Sequence, residues 1–129
     1  MAKPFAHAGV LVITSFISPY REERDSARRI HNEAGHSFAE IFIDTPLEVC
    51  EARDPKGLCA TARRGGLKGF TGIDDPYEPP FAPELVCETA NYSPPEIVSQ
   101  IMDFLVQAGF LSKDFYPRSS DRTPSMVRK

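Results

Sequence analysis

Two stretches of the chain carry residue types that could do chemistry. The first centres on Ser18, which follows the apolar run Gly9-Val-Leu-Val-Ile-Thr-Ser15 and precedes Pro19. Ser before Pro is the pattern of a helix cap followed by the first helical residue. A serine placed there, just beyond the carboxyl end of a strand, sits where open α/β sheets bind ligands, and free N–H groups at a helix start attract an anion. The same serine serves equally as an ordinary cap that satisfies backbone donors. The second stretch is basic and glycine-rich: Arg53, Lys56, Arg63, Arg64 and Lys68 face one acidic side chain, Asp54, between Arg53 and Lys68. Such a loop can close over phosphates, neutralising charge and expelling water, or stay a solvated surface loop. Phe70, in Lys68-Gly69-Phe70-Thr71-Gly72, either stacks on a base or anchors its loop to the core.

Other polar residues offer less. Asp74, Asp75, Glu78, Glu84 and Glu88 follow without an intervening basic residue and read as solvated surface, with pairing to the basic loop as a secondary expectation. His7, His31 and His36 are scattered, with no nucleophile or carboxylate partner in view. The three cysteines, Cys50, Cys59 and Cys87, form no CxxC pair and have no histidine at metal-ligand spacing, which points to a reducing compartment and no zinc.

These residues need elements to hold them. The run from Gly9 to Ser15 is β-branched and continuously apolar, as in a strand buried on both faces of a parallel sheet. Ser18 and Pro19 predict a helix running to Ala34, with Ala27, Ile30 and Ala34 as its apolar stripe and Gly35 as its stop. Phe38 to Ile43 reads as the next strand, and Thr45-Pro46-Leu47-Glu48 as a capping box opening a short helix toward Arg53. Strand, helix, strand, helix is a βαβ unit. From Asp54 to Pro83 periodicity disappears among five glycines and five prolines, predicting a long functional loop. Leu85 to Cys87 is a last short strand. Ser93-Pro94-Pro95-Glu96 is a second capping box, and Ile97, Ile101, Phe104, Leu105 and Ala108 mark one face of a closing helix that ends at Gly109.

Composition bounds the class. A chain of 129 residues is one domain's worth, long enough to bury a real core. A net charge of −3 argues against nucleic-acid binding and offers no polybasic membrane signal, so the expected partner is a small molecule. Residues Met1 to Gly9 show no leader-like apolar region and no run is long enough to span a bilayer, which predicts a cytoplasmic protein. The segment Ser112 to Lys129 carries five basic and two acidic side chains and is expected to be a mobile basic tail on a domain covering residues 1–111.

The wording of the sequence goes further. Ile13-Thr-Ser-Phe-Ile-Ser-Pro-Tyr20 followed by Arg21, Arg24 and Ala27-Arg28 resembles the adenylyl-sulfate kinase (APS kinase) family. So do Glu40-Ile-Phe-Ile-Asp-Thr-Pro-Leu-Glu-Val-Cys50, Arg53-Asp-Pro-Lys-Gly-Leu58 and Lys68-Gly-Phe-Thr-Gly-Ile-Asp74, with Tyr77-Glu78 and Ala82-Pro83-Glu84 also in place. The resemblance implies an α/β, P-loop kinase-like three-layer fold with a mostly parallel sheet. It also implies transfer of the γ-phosphoryl of ATP, with Mg²⁺, to the 3′-hydroxyl of adenosine 5′-phosphosulfate. Carried over by the same matches, Ser18 takes the catalytic place, as a phosphoserine position or a substrate contact. Ile17, Ser18, Lys56, Gly69 and Phe70 become substrate-binding residues, with the Phe70 ring on substrate adenine, and Arg63 becomes the lid arginine facing ATP. Homodimerisation and fusion to an ATP sulfurylase remain open.

The resemblance also has departures. No G-x-x-x-x-G-K-[S/T] phosphate cradle occurs in the sequence, and residues Met1 to Gly9 resemble the end of a helix from the middle of the kinase. The chain is therefore expected to be a carboxyl half lacking the N-terminal strands of the sheet, and to be inactive by itself. Cys59 stands at a usual tyrosine and Gly66 at a usual acidic residue. A non-catalytic nucleotide-binding regulatory module, like the kinase-like domain of fungal ATP sulfurylase, is the alternative reading.

Overall fold

The computed structural model describes residues 2–114. The order of elements is α1 (Ala2–His7), α2 (Arg21–Glu33), β1 (Ile41–Asp44), α3 (Leu47–Arg53), α4 (Leu58–Arg63), β2 (Leu85–Glu88) and α5 (Pro94–Gln107). Two compact units divide the chain, residues 1–90 and residues 91–129. The expected tail lies largely outside the described residues.

The first unit is built on a parallel pair. Ile41 lies opposite Leu85, Phe42 opposite Val86, Ile43 opposite Cys87 and Asp44 opposite Glu88. Parallel strands need a long crossover, and here α3 and α4 supply it, so the βαβ unit runs from β1 to β2. The ladder continues past both strands: the Thr89 N–H donates to the Asp44 carbonyl at 2.9 Å, and the Thr45 and Thr89 hydroxyls bond to each other. That bond corrects the expected capping box. Pro46, not Thr45, precedes α3 and no side chain caps it, because the Thr45 hydroxyl is spent across the sheet.

The run from Gly9 to Ser15 is not a strand. Its β-branched residues suit one, but a strand forms only where a neighbour pairs with it, and none does among the described residues. Most of its apolar side chains are exposed instead, Val10 by 52% and Ile13 by 76%. The second helix starts at Arg21, with Tyr20 at its cap, so Ser18 and Pro19 precede it rather than open it. Glu22 and Glu23 in its first turn suit the positive end of its dipole, and Gly35 ends it as expected, in the left-handed region at φ 72°. The expected apolar stripe fails at Ile30, which is 45% exposed. The helix is held by arginines instead.

Asp54 to Pro83 is not wholly irregular. Gly57, at φ 65°, turns the chain into α4, and an Asp54 carboxylate oxygen accepts the Ala60 N–H at 3.0 Å. Six residues are too few for a visible period, although Leu58-Cys-Ala-Thr-Ala-Arg63 contains good helix formers. In the second unit Ser93 and Glu96 form the expected capping box, with Pro94 opening α5. Ile97 and Leu105 are buried as the pattern predicts, joined by Val106. With Ala62 and Cys87 these are the five buried apolar residues among those described, fewer than chain length leads one to expect.

Candidate functional site: a clamped serine turn and a pinned aromatic loop

The Ile17-Ser18-Pro19 turn holds a non-glycine residue at positive φ. Ser18 adopts φ 40°, the positive φ of a non-glycine residue, a conformation that costs on the order of 1–3 kcal/mol and persists only where its surroundings enforce it. The enforcing groups are Arg24 and Glu78. Arg24 donates from Nη1 to the Ser18 carbonyl, from Nη2 to the Glu78 carbonyl at 2.6 Å and from Nε to Glu40 Oε1 at 2.7 Å. The Glu78 N–H donates to the Pro19 carbonyl at 2.9 Å, and the Arg21 N–H donates to Glu78 Oε2, also at 2.9 Å. The Ser18 and Pro19 carbonyls are thus tied down from outside the turn.

Arg21, Arg24 and Arg28 lie on one face of α2, and each meets an acid and a ring. Arg21 lies 4.1 Å from the Phe81 ring centre, Arg24 5.6 Å from Tyr77 and Arg28 5.0 Å from Phe38. Arg28 holds Glu84 through Nη1 and Nη2, and Glu84 accepts the Glu40 N–H at 2.6 Å. The Arg28 hydrogen bond holds Glu84 below the usual carboxylate range, and the same pair raises Arg28. Of the acidic stretch, Glu78 and Glu84 pair with α2 rather than with the basic loop. A shallow cleft of about 140 Å³ lies among these arginines, Glu40 and Phe81.

The Gly69-Phe70 loop is held differently. Asp74 Oδ1 accepts the Phe70 N–H at 2.6 Å and Oδ2 the Gly69 N–H at 2.8 Å. These donors, Phe70 first, hold the Asp74 carboxyl below its ordinary range. The Gly72 N–H donates to the Asp75 carbonyl at 2.7 Å and closes the turn. An open groove of about 510 Å³ runs along Gly72 to Tyr77 and Leu47. Tyr77 stacks on Phe42 at 6.0 Å, so the segment that leaves this loop rests on β1 before reaching Glu78 and the serine turn.

The sequence-derived candidates are placed unevenly. Ile17 is 69% exposed, Ser18 and Phe70 are half-buried, and Gly69 is exposed. The Glu78 segment links the serine turn to the aromatic loop. Lys56 is exposed in the turn before α4, while Arg63 spends its guanidinium on Glu51 at 2.7 Å. Arg53 donates to the Thr89 carbonyl at 2.8 Å and braces the strand ends. The histidines are not scattered: the His7 and His36 rings lie 5.7 Å apart and His31 lies 6.5 Å from His36. Sequence reasoning missed Arg24, Glu40, Glu78 and Asp74 as holding groups. Their signal was the three-and-four spacing of arginines on α2 and the Tyr77-Glu78 and Ala82-Pro83-Glu84 segments.

A parallel βαβ unit carrying a serine turn and a glycine-flanked aromatic loop at its periphery defines an α/β protein of the P-loop kinase class. The solved APS kinase of Mycobacterium tuberculosis, in complex with AMPPNP and APS, matches at TM-score 0.76 and 46% identity over 81% of this chain and 60% of that one. Residues 1–88 match the family model described as adenylylsulphate kinase, and the chain belongs to that family. The adenylyl-sulfate kinase of Saccharomyces cerevisiae is 50% identical over 113 residues, 88% of this chain and 56% of its own length. That of Clostridium acetobutylicum is 49% identical over 107 residues, 83% of this chain and 52% of its own. The chain spans about half the length of these curated relatives. No described helix is long and apolar enough to cross a membrane.

The family implies ATP and Mg²⁺, and the carboxylates nearest the serine turn and the aromatic loop are already engaged within the protein. Mg²⁺ in such sites rests on one or two carboxylates together with substrate phosphates. Here Glu40, Glu78 and Glu84 are committed to arginines and Asp74 to backbone N–H groups. Among the described residues no group of His, Cys, Asp and Glu is arranged to hold a metal ion.

Proposed function

We propose that this chain carries the substrate-side half of an adenylyl-sulfate kinase, the enzyme that moves the γ-phosphoryl of ATP to the 3′-hydroxyl of adenosine 5′-phosphosulfate. In that transfer the bond from the γ-phosphorus to the β–γ bridging oxygen breaks, a bond to the 3′-oxygen forms, and the hydroxyl proton leaves. Ile17, Ser18 and Lys56 meet the phosphosulfate, Gly69 and Phe70 present a ring to the adenine, and Arg63 turns from Glu51 toward ATP. The observation that carries this reading is the pinning of the Gly69-Phe70 loop by Asp74, which presents the phenyl ring from a backbone already ordered.

Phosphoryl transfer depends on positioning and on neutralising the γ-phosphate. The sequence holds no phosphate cradle motif, so in this reading the chain alone binds the sulfate-bearing nucleotide and does not turn it over. Isothermal titration of the folded chain tests this. Binding of adenosine 5′-phosphosulfate, lost in Phe70→Ala, with none for ATP plus Mg²⁺, is the expected result. A folded chain that ignores adenosine 5′-phosphosulfate overturns the substrate assignment, and product formation in a coupled assay overturns the inactivity.

A further inference from the structure

We infer that Arg24 is a positioning residue that fixes the serine turn and the exit of the aromatic loop at one spacing. The inference rests on the substrate reading above but names a group that reading does not use. It begins from the guanidinium, a planar fork whose donors point in fixed directions. Each of its three nitrogens has its own acceptor: Nε the Glu40 carboxylate, Nη1 the Ser18 carbonyl and Nη2 the Glu78 carbonyl.

Those acceptors come from three separate parts of the first unit: the turn before α2, the residue just ahead of β1, and the segment that follows the Gly69-Phe70 loop. No other described side chain joins both the Ser18 turn and the Glu78 backbone. The Arg24 side chain is 12% exposed and its Glu40 partner 16%, so water competes little for these bonds. The ring of Tyr77, 5.6 Å away, further confines the fork.

The consequence for Ser18 follows from its backbone. At φ 40° its carbonyl is directed at Arg24, and the next carbonyl, of Pro19, accepts from the Glu78 N–H. Neither bond uses the Ser18 hydroxyl. The turn is therefore held by its carbonyls, while the hydroxyl and the exposed Ile17 side chain stay available to a ligand. Arg24 does not itself reach the ligand in this account; it sets where Ser18 stands relative to the Phe70 loop.

Two variants separate this role from a merely structural ion pair. Arg24→Lys keeps a cation opposite Glu40 but cannot serve three acceptors in the directions of a planar fork. Glu40→Gln leaves both carbonyl bonds in place and removes the carboxylate charge that faces Arg24 and, at 3.5 Å, Arg28. The Arg21 and Glu78 amides report on the clamp, since each donates across the turn. In Arg24→Lys their hydrogen exchange is expected to rise about ten-fold, as a lost partly buried hydrogen bond implies, while in Glu40→Gln it stays near wild type. Titration with adenosine 5′-phosphosulfate is expected to follow the same order, with affinity about ten-fold weaker in Arg24→Lys and nearly unchanged in Glu40→Gln. Equal exchange in Arg24→Lys and wild type overturns the clamp, as does a larger effect in Glu40→Gln. A wild-type chain with the expected exchange pattern but no affinity for the nucleotide overturns the substrate reading, and with it the purpose assigned to Arg24.

Discussion

The Asp74 carboxylate accepts the N–H of Phe70 at 2.6 Å, and its other oxygen takes the N–H of Gly69 at 2.8 Å. An exposed acid four residues downstream thus orders the backbone of the aromatic residue assigned to the adenine. A carboxylate receiving two backbone donors does so best when ionised. The folded-state value of Asp74 is accordingly lowered from 3.8. A lowered value means that the contribution is present in full above the ordinary carboxylate range and is lost as pH falls through the folded value.

The loop is therefore expected to stay ordered at neutral pH and to loosen only in acid, below the ordinary value of 3.8. The Gly69 and Phe70 amide resonances followed by NMR against pH report this directly. Asp74→Asn, which keeps one acceptor and loses the charge, is expected to shift both amides at pH 7 and to weaken adenosine 5′-phosphosulfate binding by about three- to ten-fold. Unmoved amides would show that the loop is ordered by something else.

Glu84 ties α2 to the approach of both strands, because it holds Arg28 and also accepts the Glu40 N–H. Glu84→Gln is expected to destabilise the first unit by about 1 kcal/mol at pH 7, a figure kept small because the pair is partly solvated. Its folded value is lowered by Arg28, so the difference between variant and wild type should shrink as pH falls below the ordinary carboxylate range. Urea midpoints at pH 7 and in acid measure both.

Cys87 is 0% exposed in β2, and burial pushes its thiol above the ordinary range. Native-state alkylation followed by mass spectrometry should leave Cys87 unlabelled at pH 7, because it is closed to the reagent, while the half-buried Cys50 reacts. Cys87→Ser places a hydroxyl where no partner is at hand and should cost about 1–3 kcal/mol, against a smaller loss for Cys87→Ala.

In the second unit the capping box is the most local device. Ser93→Ala removes the hydroxyl cap at the start of α5 and is expected to cost about 1 kcal/mol of helix stability. Helical circular dichroism of the variant during thermal unfolding checks it. An unchanged transition would mean that Pro94 and packing fix the helix start without the cap.

Legibility in the sequence followed the range of each interaction. The Ser93 box with the Ile97 and Leu105 face and the stop at Gly35 depend on neighbours within a few residues, and all are present. The strand at Leu85 was legible from its residue types although its partner, β1, lies more than forty positions away, but other features that rest on distant partners were misread. Gly9 to Ser15 has the side chains of a strand and, among the described residues, no strand beside it. Thr45 has the spacing of a cap but bonds to Thr89, forty-four positions away. The three histidines look unrelated along the chain, yet their rings neighbour one another.

The sequence by itself determined the family, because collinear motifs from Ile13 to Glu84 are a matter of residue identity and order, and it determined the parallel α/β character through its strands and caps. Only the tertiary structure decided how the candidate residues are held: that Ser18 precedes α2 in a positive-φ turn rather than capping it, that Arg24 grips that turn together with Glu78, and that Glu78 and Glu84 pair with α2. The physical reason is directional. Caps and periodicity are short-range properties of a chain, whereas a guanidinium serving three acceptors from distant segments exists only once the fold has brought them within hydrogen-bond distance.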